Sequence, residues 1–429
     1  MAGGQRPAVT ESAPASTREA VEAVWRIESA HIVGTLARYT GDFALAEDMA
    51  QEALAAALVT WPRDGVPANP AGWLLTTARR RAIDAFRRRS ALDERYAAIA
   101  HQADEAAGHE GGPDWDPDRI EDDVLALMFI SCHPALSREA QVALTLRVVG
   151  GLTSDEIARG FLVPTATVQA RITRAKKTLA AARVPFEVPP VEERRERLGS
   201  VLSVVYLIFT EGSSATAGSA LIRTDLAREA IRQARMLAHL MPEPETYGLL
   251  ALLELTAARF PARLDTEGEP VLLEDQDRRR WDRSAIRRGR AALAAAGSVG
   301  RGLGSYGVQA AIAECHAVAP SVEATDWSRI VVLYEALGRL APSPIIDLNR
   351  AVAVSMADGP AEALPIVDRL VAAGSLSGTH LLPTVRGELL TRLGRTDEAR
   401  VELDDAVRRC TNDAERRMLE RKIAALAQA

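Results

Sequence analysis

The chain of 429 residues contains little cysteine and few aromatic side chains. Its three cysteines, Cys132, Cys315 and Cys410, are too few and too scattered to predict a disulfide framework or a zinc site, and this favours a reducing cytoplasm. Aromatic residues make up only 4% of the sequence. The hydrophobic cores must therefore consist mainly of Ala, Leu and Val, a composition typical of packed helices.

The sequence also lacks several motifs that define whole classes of protein. No apolar run is long enough to cross a bilayer, and the first 17 residues have no apolar centre of the kind found in signal peptides. There is no phosphate loop, nucleophile elbow, paired His and Glu at metal spacing, or cofactor fingerprint. His101, His109 and His133 are not at ligand spacing. We therefore expect neither an enzyme nor a protein that requires a metal or cofactor.

The net charge of −6 excludes a protein that is coated uniformly in cations. Any binding to nucleic acid must therefore come from local basic patches. An acidic run, Glu274 to Asp277, could in principle hold a cation, but we expect it to pair with the arginines that follow, Arg278 to Arg280.

Residues 151–182 read as two short helices joined by a tight turn. Thr153 and Glu156 have the spacing of a capping box, in which each side chain accepts a hydrogen bond from the backbone of the other residue. Pro164 ends the first helix, because a proline disfavours helical geometry in the residue before it. The second helix begins at about Thr165. Its apolar positions recur at helical spacing and predict one buried face, formed by Val168, Ile172, Ala175 and Leu179.

The opposite face of this second helix carries small, hydrogen-bonding and basic residues. They are Gln169, Ala170, Thr173, Arg174 and Lys177, with Arg171 and Lys176 at the margins. Such a face can enter a major groove and contact bases and phosphates, as in a helix-turn-helix. An ordinary helical hairpin with a solvated charged face is the alternative.

A second basic segment, residues 71–89, precedes this motif. We expect Leu74, Ala78, Ala82 and Ala85 to face inward, which leaves several arginines on the other faces. Arginines with an aromatic residue beside a loop suit a groove that holds unpaired bases. A core position for Trp73 is the alternative. So many like charges on one short helix repel each other unless an anion binds.

Residues 42–58 predict an acidic helix upstream of the arginine helix. Leu45, Met49, Ala53 and Ala57 line its apolar side, whereas the other side carries Glu47, Asp48, Gln51 and Glu52. That acidic side is either solvated or a docking face for a protein.

The prolines and glycine that follow, at Pro62, Gly65, Pro67 and Pro70, predict a flexible stretch.

The carboxy-terminal half is rich in Ala, Leu and Arg and contains an internal repeat. One copy begins at Leu348 and the other at Val385, with Gly359 and Gly394 in matching turns. The spacing of about 35 residues is the tetratricopeptide period of paired helices. A helical domain without repeat ancestry remains the alternative.

These patterns predict an all-α protein with a defined order of segments. The expected segments are a disordered N-terminus at 1–17, a helical domain at 18–89, a linker at 90–120, the helix-turn-helix domain at 121–184 and a tetratricopeptide-like domain at 194–429.

The order of the segments resembles a bacterial sigma factor of the sigma-70 family, in its extracytoplasmic-function group. The resemblance is closest to a subgroup with a long tetratricopeptide-like extension, of the DUF6596 type. GDFALAEDMAQEAL resembles the segment that docks on core RNA polymerase, NPAGWLLTTARRRAIDAFRR the segment that melts and reads the minus-ten element, and LTSDEIARGFLVPTATVQARITRAKKTL the helix-turn-helix that reads the minus-thirty-five element. In the extension, YLIFTEGSSAT, LLEDQDRRRWD and LAPSPIIDLNRAVAV resemble hallmarks of that subgroup.

The resemblance implies three sets of functional residues in this chain. Core polymerase would be bound by Asp48, Gln51 and Glu52. The melted element would be held by Asn69, Trp73, Arg79, Arg80, Arg87 and Arg88. The upstream duplex element would be contacted by Thr165, Thr167, Gln169, Arg171, Thr173, Arg174 and Lys177.

Pro164 departs from the serine that many members have at this turn, and proline cannot cap a helix through a side-chain oxygen. The first residue of the reading helix is therefore predicted only to within about one position. The resemblance implies core polymerase and promoter DNA as partners, a cytoplasmic location, and an extension that either restrains or supports the DNA-binding domains. The alternative is a helix-turn-helix regulator with a ligand- or peptide-sensing carboxy-terminal domain.

Overall fold

The computed structural model describes residues 13–90, 117–161, 163–213, 224–266 and 271–426. Most of the expected linker and most of the expected disordered N-terminus lie outside these ranges. The chain divides into two compact units, Met1–Val204 and Val205–Ala429. Within the described ranges the regular structure is helical, which confirms the predicted all-α class.

The first unit contains seven complete helices and the start of an eighth in its described residues. These are α1 (Ala13–Thr40), α2 (Phe43–Asp64), α3 (Pro70–Ser90), α4 (Pro117–Ser131), α5 (Arg138–Val148), α6 (Ser154–Phe161), α7 (Thr165–Ala181) and α8 (Val191–Ser213), which continues into the second unit.

A tight turn joins α1 to α2. Gly41 has a φ of +63°, a left-handed conformation that glycine adopts without steric cost. Asp42 then caps α2, since its carboxylate accepts a hydrogen bond from the backbone N–H of Leu45 at 3.0 Å. The turn sets α1 and α2 side by side. The predicted apolar side of α2 is confirmed, because Leu45, Met49, Ala53 and Ala57 are all buried.

The expectation of a flexible stretch starting at Pro62 is wrong, because α2 continues through Pro62 to Asp64. Trp61 anchors this last turn, with only 1% of its surface exposed. Its ring meets the ring of Trp73 on α3 edge-on, with centroids 5.5 Å apart. Burial of a large aromatic side chain outweighs the single backbone hydrogen bond that proline cannot donate.

The helix α1 also packs against α4, and this contact joins the two predicted sigma-like domains within the first unit. Gly34 allows the close approach, since a Cβ atom there would lie 3.1 Å from the backbone of Asp123. The Nε–H of Arg38 in turn donates a bifurcated hydrogen bond to the two carboxylate oxygens of Asp123, at 2.8 and 3.0 Å. Burial is the largest influence on the Asp123 carboxyl and raises its pKa, although Arg38 opposes the effect.

The second unit is built from further helices that follow α8. They are α9 (Thr224–Leu240), α10 (Pro244–Ala257), α11 (Arg283–Ser298), α12 (Gly304–Val318), α13 (Trp327–Leu340), α14 (Pro344–Ala357), α15 (Pro360–Ala372), α16 (Leu381–Arg392), α17 (Thr396–Arg409) and α18 (Asp413–Leu426).

The predicted internal repeat corresponds to two pairs of helices, α14 with α15 and α16 with α17. Gly359 and Gly394 lie in the turns of the two pairs, with φ of +103° and +73°. A left-handed residue lets the chain reverse between helices, so glycine is favoured at both positions. The matching turns that the sequence predicts are therefore present.

The acidic run before Trp281 pairs with only part of the basic run that follows it. Asp277 forms an ion pair with Arg279 at 3.0 Å. Arg278, in contrast, is buried and donates to the carbonyl oxygens of His316 and Ala319, both at 2.7 Å. Arg278 thus fixes the loop after α12 and is not a partner of the acidic run. Across the described part of the chain, no helix combines the length and the apolar character needed to cross a membrane.

Replacing Trp61 by Ala should lower the free energy of unfolding of the first unit by about 3–5 kcal/mol, because it empties a buried aromatic site. Thermal or denaturant unfolding followed by circular dichroism would measure the change. Val59→Ala is the matched control, since Val59 lies on the same helix with 59% of its surface exposed. Equal unfolding midpoints for the two variants would contradict the anchoring role of Trp61.

Candidate nucleic-acid interface

The predicted capping box sets the start of α6 and is confirmed. The backbone N–H of Thr153 donates to Glu156 at 2.8 Å, and the N–H of Glu156 donates to the Thr153 hydroxyl at 3.2 Å. Burial of Glu156 opposes its ionisation, but the bonds from Thr153 and the guanidinium of Arg26 outweigh this and lower the pKa of Glu156. The ionised Glu156 carboxylate therefore caps the N-terminal end of α6 and links this helix to Arg26 of α1.

The helix α7 begins at Thr165, as the sequence predicts. Pro164 precedes it with extended backbone angles and provides no side-chain cap. The Thr165 hydroxyl instead donates to Asp155 on α6 at 2.7 Å, which joins the two helices of the motif. The predicted inner face is confirmed, because Val168, Ile172, Ala175 and Leu179 are all buried.

The opposite side of α7 forms one continuous exposed stripe. Its members are Ala166, Gln169, Ala170, Thr173, Arg174 and Lys177. Arg174 lies along the helix, with its Nε 3.3 Å from the carbonyl oxygen of Ala170. Thr167 and Arg171 are half-buried at the edges of the stripe. The stripe thus combines amide, hydroxyl and cationic donors on a rigid helix whose other side is fixed in a core, as major-groove contact requires.

Several residues of the arginine helix α3 that are predicted to contact DNA also make contacts within the protein. Asn69 accepts a hydrogen bond from the N–H of Gly72 at 2.9 Å and so caps the helix. Trp73 is half-buried against Trp61. The guanidinium of Arg79 lies 4.5 Å from the centre of the Tyr39 ring. Their roles with DNA remain predictions, and each would act from a position that the fold already fixes.

Two other predicted arginines of α3 lie at the surface. Arg80 and Arg87 are exposed, whereas the side chain of Arg88 lies outside the described residues. Arg81, which the sequence did not single out, forms an ion pair with Glu52 of α2 at 2.7 Å. The acidic helix α2 and the basic helix α3 are therefore adjacent, and the ion pair of Glu52 with Arg81 links them.

The acidic side of α2 is less exposed than its sequence indicates. Asp48 keeps 58% of its side chain exposed, and Gln51 is half-buried. Glu47 was expected on the same outer side, but this is wrong, because only 4% of its side chain is exposed. Two cations from distant parts of the sequence account for the burial, since a buried carboxylate is stable only when it is paired.

Those cations connect α2 to the helix-turn-helix domain. Nζ of Lys176 on α7 lies 2.7 Å from Glu47 and 2.5 Å from Asp48. Nε of Arg147 on α5 lies 3.2 Å from the second oxygen of Glu47. The sequence placed Lys176 only at the margin of the reading face and gave no signal for Arg147. We call these four residues the α2–α7 ion cluster.

Lys176 remains a cation throughout the neutral pH range. Burial disfavours its charge, but Glu47 and Asp48 outweigh the burial and raise the pKa of Lys176 above its ordinary value. Stabilisation from this charge is fully present below the pKa of the unfolded chain and is lost only as the pH rises through the higher folded value. The charge of Lys176 is therefore insensitive to pH changes near neutrality.

Comparison with protein families divides the chain into three matched segments. Residues 27–91 match sigma-70 region 2, and residues 126–179 match sigma-70 region 4. Residues 197–297 match a family of unknown function, DUF6596. The region 2 match contains α2 and α3, and the region 4 match contains α6 and all but the last two residues of α7.

Relatives agree with this division. An uncharacterised protein of Rhizobium meliloti is 45% identical over 396 residues, which cover 89% of this chain and 90% of that protein. Two strains of Mycobacterium tuberculosis have a probable ECF RNA polymerase sigma factor, SigI, that is 29% identical over 184 residues, or 42% of this chain and 61% of SigI. No solved structure matches the chain. With both sigma-70 regions in order and a DUF6596 segment behind them, the chain belongs to the extracytoplasmic-function sigma factors of the sigma-70 family, in the subgroup with this carboxy-terminal extension.

Proposed function

We propose that this sigma factor directs core RNA polymerase to its promoters through two surfaces that contact each other in the free protein. The outer side of α2 around Asp48 binds the polymerase. The exposed stripe of α7 contacts the upstream promoter element, and α3 holds the melted element. The observation that supports this proposal is the α2–α7 ion cluster. In it, Lys176 of the reading helix forms ion pairs with Glu47 and Asp48 on the side of α2 that we propose binds polymerase.

The distance between promoter elements requires this contact to open. Elements centred 10 and 35 base pairs upstream of the start are separated by about 25 base pairs, or about 85 Å of duplex. In the free protein, α7 and α2 are joined by direct ion pairs. One molecule cannot occupy both elements in that state.

The chain between the two domains is long enough for the separation. Since α3 ends at Ser90 and α4 begins at Pro117, 26 residues connect them. Fully extended, they reach about 86–94 Å. This reach matches the separation of the two elements even before the dimensions of the two domains are added, so the opened protein can span both.

Lys176→Gln should strengthen binding to core polymerase about fivefold. The substitution removes the charge that holds α2 and α7 together, an interaction worth about 1 kcal/mol in affinity. Titrating labelled protein with core enzyme, in the absence of DNA, would measure this. Lys177→Gln is the matched control, because it removes the same charge from the adjacent exposed position. An equal effect of both variants, or none for Lys176→Gln, would contradict the proposed masking of Asp48.

Arg174→Ala should reduce specific transcription about tenfold while leaving core binding unchanged, because a good arginine contact to a base edge discriminates by about 1–3 kcal/mol. Run-off transcription from fragmented genomic DNA, with transcript starts mapped by sequencing, identifies the promoters and measures the loss. Arg18→Ala is the control, since Arg18 is exposed at the start of α1. Tight, specific duplex binding without core enzyme would favour the alternative of an independent helix-turn-helix regulator.

We also propose that the extension controls promoter output. A chain that ends at Val204 keeps the whole first unit, including Arg197 of α8, whose guanidinium lies 5.8 Å from the centre of the Phe129 ring. Transcription by this truncated protein should differ severalfold from that of the full chain. A rise would indicate that the extension restrains the DNA-binding domains, and a fall would indicate that it supports them. Equal output at equal protein stability would contradict a regulatory role.

A further inference from the structure

Three side chains with metal-binding chemistry converge where the last helices of the extension meet. His380 precedes α16, Cys410 follows α17, and Glu415 lies in the first turn of α18. Nε2 of His380 lies 3.3 Å from Oε2 of Glu415, and Sγ of Cys410 lies 4.0 Å from the same oxygen. All three ligand atoms lie within 4.8 Å of one another.

These separations are close to those between the ligands of a tetrahedral zinc ion. Zinc bonds of about 2.0–2.2 Å to nitrogen or oxygen and about 2.3 Å to sulfur place the nitrogen and oxygen about 3.3–3.5 Å apart, and the sulfur and oxygen about 3.5–3.7 Å apart. The observed nitrogen-to-oxygen distance of 3.3 Å falls within that range, and the sulfur-to-oxygen distance of 4.0 Å exceeds it by a few tenths of an ångström. The sulfur-to-nitrogen separation, which is at most 4.8 Å, compares with about 3.5–3.7 Å in a zinc site, so side-chain rotations that draw the three groups together would close the site around an ion.

Hydrogen bonds to the backbone of Cys410 and Glu415 hold these two ligands in place without a metal. The N–H of Cys410 donates to the carbonyl of Ala406 at 3.0 Å, which fixes the cysteine at the end of α17. Asn412 caps α18 by accepting from the N–H of Glu415 at 3.2 Å. The thiol lies 3.4 Å from the Asn412 carbonyl oxygen. Because the three residues sit at helix ends, a bound ion would tie α16, α17 and α18 together.

The accessibility of the three groups suits entry of an ion from solvent. Cys410 is buried, whereas His380 and Glu415 are partly exposed, with 22% and 31% of their side chains accessible. A neighbouring cation, Arg416, donates to the Cys410 carbonyl oxygen at 2.6 Å and pairs with Asp413. Arg263 adds a positive charge near Glu415. The positive charge of these guanidinium groups weakens the site for a cation.

We propose that His380, Cys410 and Glu415 bind one Zn²⁺ ion in the extension, with a water molecule as the fourth ligand. Thiolate, imidazole and carboxylate are each established ligands of zinc, and three protein ligands leave the fourth position for water. Within the described residues, no other group of three or more such side chains lies this close together. Cys132 and Cys315 are buried as well, but they have no place in such a group.

Cobalt binding to the full chain, produced without a histidine tag and stripped with a chelator, tests this site. Co²⁺ adopts the same geometry, and a cobalt–thiolate bond adds charge-transfer absorption that an ion pair or an oxygen-only site does not produce. We expect one Co²⁺ per chain with this absorption, displacement by Zn²⁺, and a higher melting temperature with either ion. Cys410→Ser should abolish the absorption, and His380→Gln and Glu415→Gln should each weaken binding at least tenfold.

Cys315→Ser is the matched control, because it removes a different buried cysteine of the same unit and should leave the cobalt absorption unchanged. Circular dichroism of each metal-free variant separates loss of a ligand from loss of folding. Absence of thiolate absorption in the wild type, or its persistence in Cys410→Ser, would overturn the proposal. The measurement uses neither polymerase nor DNA, so its outcome is independent of the proposed transcription function.

Discussion

Burial of one carboxylate organises the first unit. With only 4% of its side chain exposed, Glu47 needs cations close by, and α2 itself supplies none to it. Arg147 and Lys176 come from α5 and α7, about 100 and 130 residues further along the chain. Their pairing with Glu47 holds the helix-turn-helix domain against α2. Two ion pairs of α1 also hold this domain in place. Arg38 pairs with Asp123 of α4, and Arg26 pairs with Glu156 of α6.

The sequence predicted well the features that depend on neighbouring residues. Helical spacing predicted the buried faces of α2 and α7, and the capping box of Thr153 and Glu156 forms as expected. Such features depend on periodicity and on side chains within four positions of each other. Pro62 shows the limit of local rules, because its position inside α2 depends on Trp61 packing against a residue of α3.

The roles of single charged residues were harder to predict, because they depend on partners from other helices. Glu52 looked like a free member of an acidic face, yet it pairs with Arg81. Asn69 looked suited to binding a base, yet its side-chain amide oxygen caps α3. In the extension, the spacing of 30 and 5 residues between His380, Cys410 and Glu415 matches no metal motif. Only the stacking of helix ends brings them together.

The α2–α7 ion cluster has a consequence for how ionic strength should affect this sigma factor. Dissolved salt screens the attraction of Lys176 for Asp48, which is more than half exposed, and so favours the open protein. The same salt weakens every contact between arginine or lysine and DNA phosphate. Under the proposed function, one effect promotes engagement of polymerase and the other opposes engagement of the promoter, so we expect the optimum for initiation at an intermediate salt concentration.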